Sequence, residues 1–244
     1  MNDALSADRA AGSEAHWIPL SDLMTGLMVM FLLIAMCYMI RVEADAGRIK
    51  TVAAAYSETR DALYEDLRKG FSADLPRWNA QLIKADLTLR FSDPDILFAQ
   101  GSSELKPAFK NILNDFFPRY VRILTSPRYR DAITEIRIEG HTSSDWIGRG
   151  GSPDDAYLRN MELSQARTRS TLLYVLMLPQ VHGDVDWLRR LVTANGLSSS
   201  RLILDASGKE DEARSRRVEF KIRTDAETRI AKILEVTHTA ADSP

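Results

Sequence analysis

Ser21–Ile40, SDLMTGLMVMFLLIAMCYMI, is the only membrane-length apolar run in the chain. At a helix rise of about 1.5 Å per residue such a run covers ~30 Å, the thickness of a bilayer's hydrocarbon core. It divides the chain into a short N-terminal segment, a span and a long polar remainder. One ionisable residue, Asp22, stands at its start. A carboxylate in a lipid-facing helix costs a few kcal/mol at the centre and less near an end, and groups kept there commonly handle ions or protons. The second position of the run also suits a helix-capping carboxylate, which is ordinary chemistry. The residues alone leave both readings open. Thr25, three residues on, falls on nearly the same helix face and offers a hydroxyl to the carboxylate or to Na⁺.

The run is also tested as a secretion signal. Residues 1–17 carry Asp3, Asp8 and Glu14 against Arg9, so a positively charged leader is missing. Ala44-Asp45-Ala46 has the small-residue look of a cleavage site, but it follows Arg41 and Glu43. The balance favours a retained span. Trp17 and Pro19 before it and Tyr38 near its end suit the two membrane interfaces. The C-terminal flank carries Arg41, Arg48, Lys50 and Arg60. Charge alone therefore puts that side in the cytoplasm. Met24, Met28, Met30, Met36 and Met39 read as lipid-compatible filler or as a surface able to re-pack. Gly26 permits close approach of another helix.

Composition narrows the function classes. The net charge of −2 over 244 residues gives no electrostatic case for direct nucleic-acid binding. Cys37, inside the run, is the only cysteine, which excludes a disulfide within the chain. His16, His141, His182 and His238 show no close metal-ligand spacing. No nucleophile elbow, zinc-protease, P-loop or dinucleotide motif occurs. An enzyme, a metal site and a cofactor are not expected, beyond a transported H⁺ or Na⁺.

Along the chain, residues 1–16 read as a mobile polar tail, 17–40 as the membrane helix and 41–84 as a juxtamembrane helix with a linker. A domain follows over 85–226, with a tail over 227–244. Ile49, Val52, Tyr56, Leu63 and Leu67 form one helical stripe. Its readings are a helix on its own domain, a plug on the bilayer, or a contact with a second copy, which is favoured. Phe71–Lys84, broken by Pro76, reads as linker. Strands are predicted at 87–91, 95–98, 132–139, 202–206 and 216–223, and helices at 103–125, 158–177 and 187–195. The order β-α-β-α-β, with an extra helix, predicts an α+β domain: a mixed sheet with helices on one face.

Two segments resemble known families. Trp17-Ile18-Pro19-Leu20-Ser21-Asp22-Leu23-Met24-Thr25 is similar to the start of MotB-type stator subunits, in which the Asp carries the ion. From about Leu87 to Thr224 the chain resembles the OmpA-like peptidoglycan-binding domain. The landmarks are Phe98 with Ser103–Pro107 (SELKP), Ile136–Thr142 (IRIEGHT), Asn160 with Leu163–Arg167 (LSQAR), and Arg216–Phe220 (RRVEF). Where the OmpA-like pattern has Asp after Gly-His-Thr, this chain has Ser143, followed by Ser144-Asp145-Trp146. That departure, with Asn160–Gln165 (NMELSQ), is similar to the ZorB family of Zorya anti-phage defence systems. Members of that family resemble MotB and partner a MotA-like channel protein, ZorA.

The resemblance implies a single-pass inner-membrane protein, N-terminus cytoplasmic and C-terminal domain periplasmic, against the charge count. It implies a dimer within five ZorA subunits, in contact with lipid and peptidoglycan and acting indirectly on cytoplasmic effectors. The implied ligand is the carboxylate and amine of diaminopimelate in a wall peptide. Arg167 matches the family's carboxylate-binding Arg. Asn160 and Leu163 match pocket positions, and Arg217 an Arg near the pocket. Thr142 offers a hydroxyl and Tyr157 lies one turn before Asn160. Ser143 cannot pair an ammonium, so Asp145 is the candidate replacement. A surface ion pair is the plainer reading of Arg167, and loop-fixing hydrogen bonds the favoured one of His141. Three functions stand: a subunit of an ion-driven defence motor, a flagellar stator subunit, and a passive wall anchor in which Asp22 merely caps a helix.

Overall fold

The computed structural model describes residues 4–146 and 152–225. The chain divides into two compact units, the first ending at Val52 and the second beginning at Ala53. Helix α1 (Ala4–Phe71) contributes to both. Ser21–Ala44 is long and apolar enough to cross a membrane, with a mean hydropathy of 2.4. The large apolar side chains from Leu23 to Ile40 are all exposed. Two expectations change here. The tail over 1–16 is helical from Ala4, in keeping with its alanine content. Asp22 therefore lies well inside α1 and not at its cap. The expected tail over 227–244 lies outside the described residues.

The second unit is built on a five-stranded sheet in the order β1-β2-β5-β3-β4. The strands are β1 (Ala80–Ile83), β2 (Thr88–Phe91), β3 (Ile133–His141), β4 (Val192–Gly196) and β5 (Arg217–Thr224). All neighbours are antiparallel except β3 and β4. The helices are α2 (Pro94–Leu97), α3 (Pro107–Leu124), α4 (Pro153–Leu176), α5 (Val185–Leu191) and α6 (Glu212–Ser215). The α+β mixed sheet read from the sequence is present.

Strand alternation sends Leu89, Phe91, Ile136, Ile138, Val218 and Phe220 into one apolar core. Phe220 is its centre: its ring lies 5.1 Å from Phe116 and 5.9 Å from Phe91, both edge-on. Such geometry aligns ring edges with ring faces and adds to area burial. The amphipathic face of α3 supplies Phe109, Leu113, Phe116, Phe117 and Tyr120, all fully buried.

The end of α1 belongs to this core. Leu63, Leu67 and Phe71 are almost fully buried within the unit. That face is already covered, so the favoured contact with a second copy does not hold for Leu63 and Leu67. The side chains of Ile49, Val52 and Tyr56 lie outside those described. The expected linker 71–84 holds edge strand β1 and the buried Trp78, which sits against Phe71, Phe91 and Phe116.

Four further local expectations are corrected. Residues 95–97 form a helical turn after Pro94, and Phe98 makes only an isolated bridge to Leu105. The expected helix over 187–195 stops at Leu191 and continues as β4, which pairs in parallel with β3. Residues 202–206 form no strand, only a bridge between Leu204 and Glu210. Helix α4 starts at Pro153, because Ser152 and Asp155 form a reciprocal capping box.

Two glycines set how closely α4 lies on the sheet. Gly140 and Gly196 face each other across β3 and β4. A Cβ on Gly140 would meet Thr168 Cγ2 at 2.7 Å, and one on Gly196 would meet the Gln165 backbone N at 2.2 Å. The buried α4 residues here are small or hydroxylated: Ser164, Thr168 and Thr171. Gly196→Ala is expected to destabilise the unit by about 2–3 kcal/mol, lowering Tm by roughly 4–12 °C in a thermal melt. An unchanged Tm would contradict this close approach.

Candidate functional site

The end of β3, the loop after it, α4, the 97–106 turn and the start of β5 enclose a cavity of about 650 Å³. That lies within the range of small-ligand sites. Seven expected residues line it: Thr142, Ser143, Asp145, Asn160, Leu163, Arg167 and Arg217. Tyr157 does not. It lies within α4, 38% exposed, with its carbonyl accepting from Ser198 Oγ at 2.8 Å. Lys106, Arg216, Gln100 and Trp146 also line the cavity. The first two stand in motifs legible in the sequence, SELKP and RRVEF, where nothing marked them as facing a ligand.

The walls are fixed by backbone-directed hydrogen bonds. Asn160 is buried, and its Nδ2 donates to the carbonyls of Ser143 (3.1 Å) and Asp145 (3.2 Å). This ties the loop after β3 to α4. Ser164 Oγ accepts from Ser198 N at 3.1 Å and donates to Met161 O. Thr142 N donates to Ser198 O at 3.0 Å. Asn160 and Ser164 thereby act on the pocket's shape.

Arg167 is half-buried. Its Nε donates to Ser102 O at 2.9 Å and its Nη2 to Ala99 O at 3.2 Å, while the guanidinium lies 4.9 Å from the Phe98 ring centre. No carboxylate pairs with it among the described residues, so the surface ion-pair reading does not apply. Burial, helped by the Arg216 charge, lowers its pKa to about 10. Arg217 differs. Its Nε lies 2.6 Å from Glu219 Oε1 and its Nη1 donates to Ser215 O, which neutralises its charge in place.

Behind the pocket wall lies a buried charged network. Glu139 and Glu219 stand opposite each other on β3 and β5. His141 Nε2 is 3.6 Å from Glu139 Oε2 and 3.7 Å from Glu219 Oε2. Neither ring nitrogen has a hydrogen-bond partner, so His141 is not the loop-fixing hydrogen-bonder expected. Burial pushes its pKa down, opposed by Glu139. These three side chains have the donor types of a metal site, with atoms within 4.8 Å of one another. The electrostatics oppose one. Arg90 and Arg217 reach Glu219, while Arg137, Lys221 and Arg201 reach Glu139. Five cations on two carboxylates leave no negative charge for a divalent ion to neutralise.

In the first unit, Asp22 and Thr25 sit one turn apart on an exposed part of α1. The Thr25 hydroxyl donates to Ser21 O at 2.7 Å. Its proton is thus committed to the helix backbone, while its lone pairs are left to accept.

Burial raises the Glu139 pKa, but the His141 contact and the Lys221 and Arg201 charges outweigh it and bring the value down to about 2. A carboxyl whose folded pKa is depressed contributes stability above its unfolded pKa and loses it as pH falls toward the folded one. Glu139→Gln is therefore expected to cost about 2 kcal/mol at pH 7, since it removes the buried carboxylate that the partly buried Lys221 and Arg137 face. The gap from wild type should close between about pH 5 and pH 2 in denaturation curves. A gap independent of pH would contradict the ionised network.

No protein-family model matches the chain. It is 48% identical over 220 residues to the Zorya protein ZorB of Escherichia coli (strain Crooks), across 90% of this chain and 92% of that protein. Among solved structures, it is similar to a putative MotB-like protein from Desulfovibrio vulgaris: 23% identity, 72% of this chain, 94% of that chain, TM-score 0.49. It is also similar to the cell wall anchor of the T6SS from Pseudomonas aeruginosa: 23% identity, 65% and 96% coverage, TM-score 0.43.

Proposed function

This chain belongs to the ZorB family, and we propose that it works as the wall-anchored, ion-carrying subunit of an inner-membrane motor for anti-phage defence. In this reading two copies cross the membrane by Ser21–Ala44, N-termini in the cytoplasm, within a ring of five MotA-like ZorA subunits. The folded unit stands in the periplasm and holds peptidoglycan. Cytoplasmic effectors respond indirectly.

One observation carries the reading. A single chain joins an exposed, membrane-length helix bearing Asp22 in its interior to a folded unit whose pocket holds a half-buried guanidinium without a carboxylate. The first feature suits ion carriage. A charge moved through ~100 mV yields about 2.3 kcal/mol, enough to bias a step in a surrounding ring. Asp22 binds and releases the ion, a proton in this reading, and the Thr25 oxygen accepts from the protonated carboxyl. The second feature suits a wall peptide: Arg167 presents its planar fork to a ligand carboxylate. The passive-anchor alternative needs Asp22 as a helix cap, and α1 begins far upstream of it.

The test is phage challenge of cells carrying the full defence operon, with wild type beside Asp22→Asn at matched membrane abundance. The variant is expected to lose protection entirely. Full protection by the variant would reduce the protein to a wall tether. Arg167→Ala is expected to weaken retention on isolated peptidoglycan by at least about tenfold, through loss of a charge-assisted carboxylate contact. Unchanged retention would remove the pocket from wall binding.

A further inference from the structure

The pocket has a seat for a carboxylate but none for an ammonium. Lys106, Arg167, Arg216 and Arg217 line it; Arg216 pairs with Glu212 and Arg217 with Glu219, while Arg167 meets no carboxylate among the described residues. Asp145 is its only acidic lining residue among those described, and it is exposed, where water screens it. Its carbonyl is held by Asn160, which fixes the backbone rather than the charge. Ser143 is 4% exposed and contributes a hydroxyl, not a carboxylate. Around it the pocket offers neutral hydrogen-bonding groups. Thr142 Oγ1 and His141 Nδ1 are buried without a hydrogen-bond partner.

Such a lining discriminates by charge. An ammonium placed beside Ser143 would leave water, meet the Arg167 charge and find no buried carboxylate in the lining. An amide at the same place carries no charge, and a hydroxyl or imidazole can accept from its N–H. Acylation is the chemical change that turns one into the other while leaving the ligand's carboxylates in place.

We propose that this pocket selects acidic wall peptides whose distal amine is acylated, as in cross-linked stems, over stems with that amine free. The proposal rests on the wall-binding reading of the same pocket and deepens it. Arg167 takes the carboxylate, and the surface of Ser143, Thr142 and His141 takes the amide. The protein would then hold mature, cross-linked wall in preference to newly made strands.

The test titrates the full chain in detergent with two synthetic stem tripeptides, L-alanyl-γ-D-glutamyl-diaminopimelate and its distal N-acetyl derivative. The acetylated peptide is expected to bind tighter by about tenfold or more. Ser143→Asp is expected to reverse the order, since the new carboxylate pairs the ammonium. Equal binding, or preference for the free amine in the unmodified chain, overturns the proposal while leaving wall binding intact. If neither peptide nor isolated peptidoglycan binds, the wall-binding reading falls, and this proposal falls with it.

Discussion

Glu139 and Glu219 stand directly opposite across β3 and β5, 1% and 3% exposed. Like charges in that register push two strands apart. Here they hold, because five cations from several parts of the unit converge on them. Arg90 comes from β2, Arg137 from β3, Arg217 and Lys221 from β5, and Arg201 from the segment after β4. The sheet face away from the aromatic core is thereby cross-braced by ion pairs. Buried pairs of this kind add little net stability over an apolar core, but removing one partner is costly. Their effect is geometric. Arg217 is pinned at the pocket wall, and His141 is held beside two carboxylates at the point where β3 passes into the pocket loop.

The opposite face follows a different rule. Gly140 and Gly196 let α4 sit with its backbone almost on the strands, and Ser164 and Thr168 fill the remaining space. That brings Asn160 within reach of the loop carbonyls and Arg167 within reach of the 99–102 turn. The pocket is thus made between a helix placed by glycines and strands braced by charges. Arg167 keeps its charge unpaired because its hydrogen bonds go to carbonyl oxygens. A binding site needs such an uncompensated group, and a stabilising ion pair would have removed it.

The sequence made much of this legible where a pattern repeats within one element. Alternation marked β2, β3 and β5, the 3.6-residue period marked α3, and the apolar run marked the span. Elements defined by a distant partner were not legible. Val192–Gly196 continues the run of α5 in sequence and becomes strand only by pairing with β3. Ala80–Ile83 lies after a proline and is ordered by β2 and by the buried Trp78. Motif spacing placed most of the pocket residues. It missed Lys106 and Arg216, whose facing depends on the turn before α3 and the start of β5. Alternation puts Glu139 and Glu219 on the face away from the aromatic core but does not bury them. Their burial among cations depends on chain segments far apart in sequence.

In the proposed function, membrane helix and wall-binding pocket work through one continuous chain. Cutting that chain separates the two parts. A protease site inserted after Val52, at the boundary of the two units, would be cleaved by periplasmic protease in cells carrying the full operon, and phage protection measured before and after. Uncut protein is expected to protect and complete cleavage to abolish protection, with both fragments still at normal levels. Protection that survives complete cleavage would contradict the proposed function.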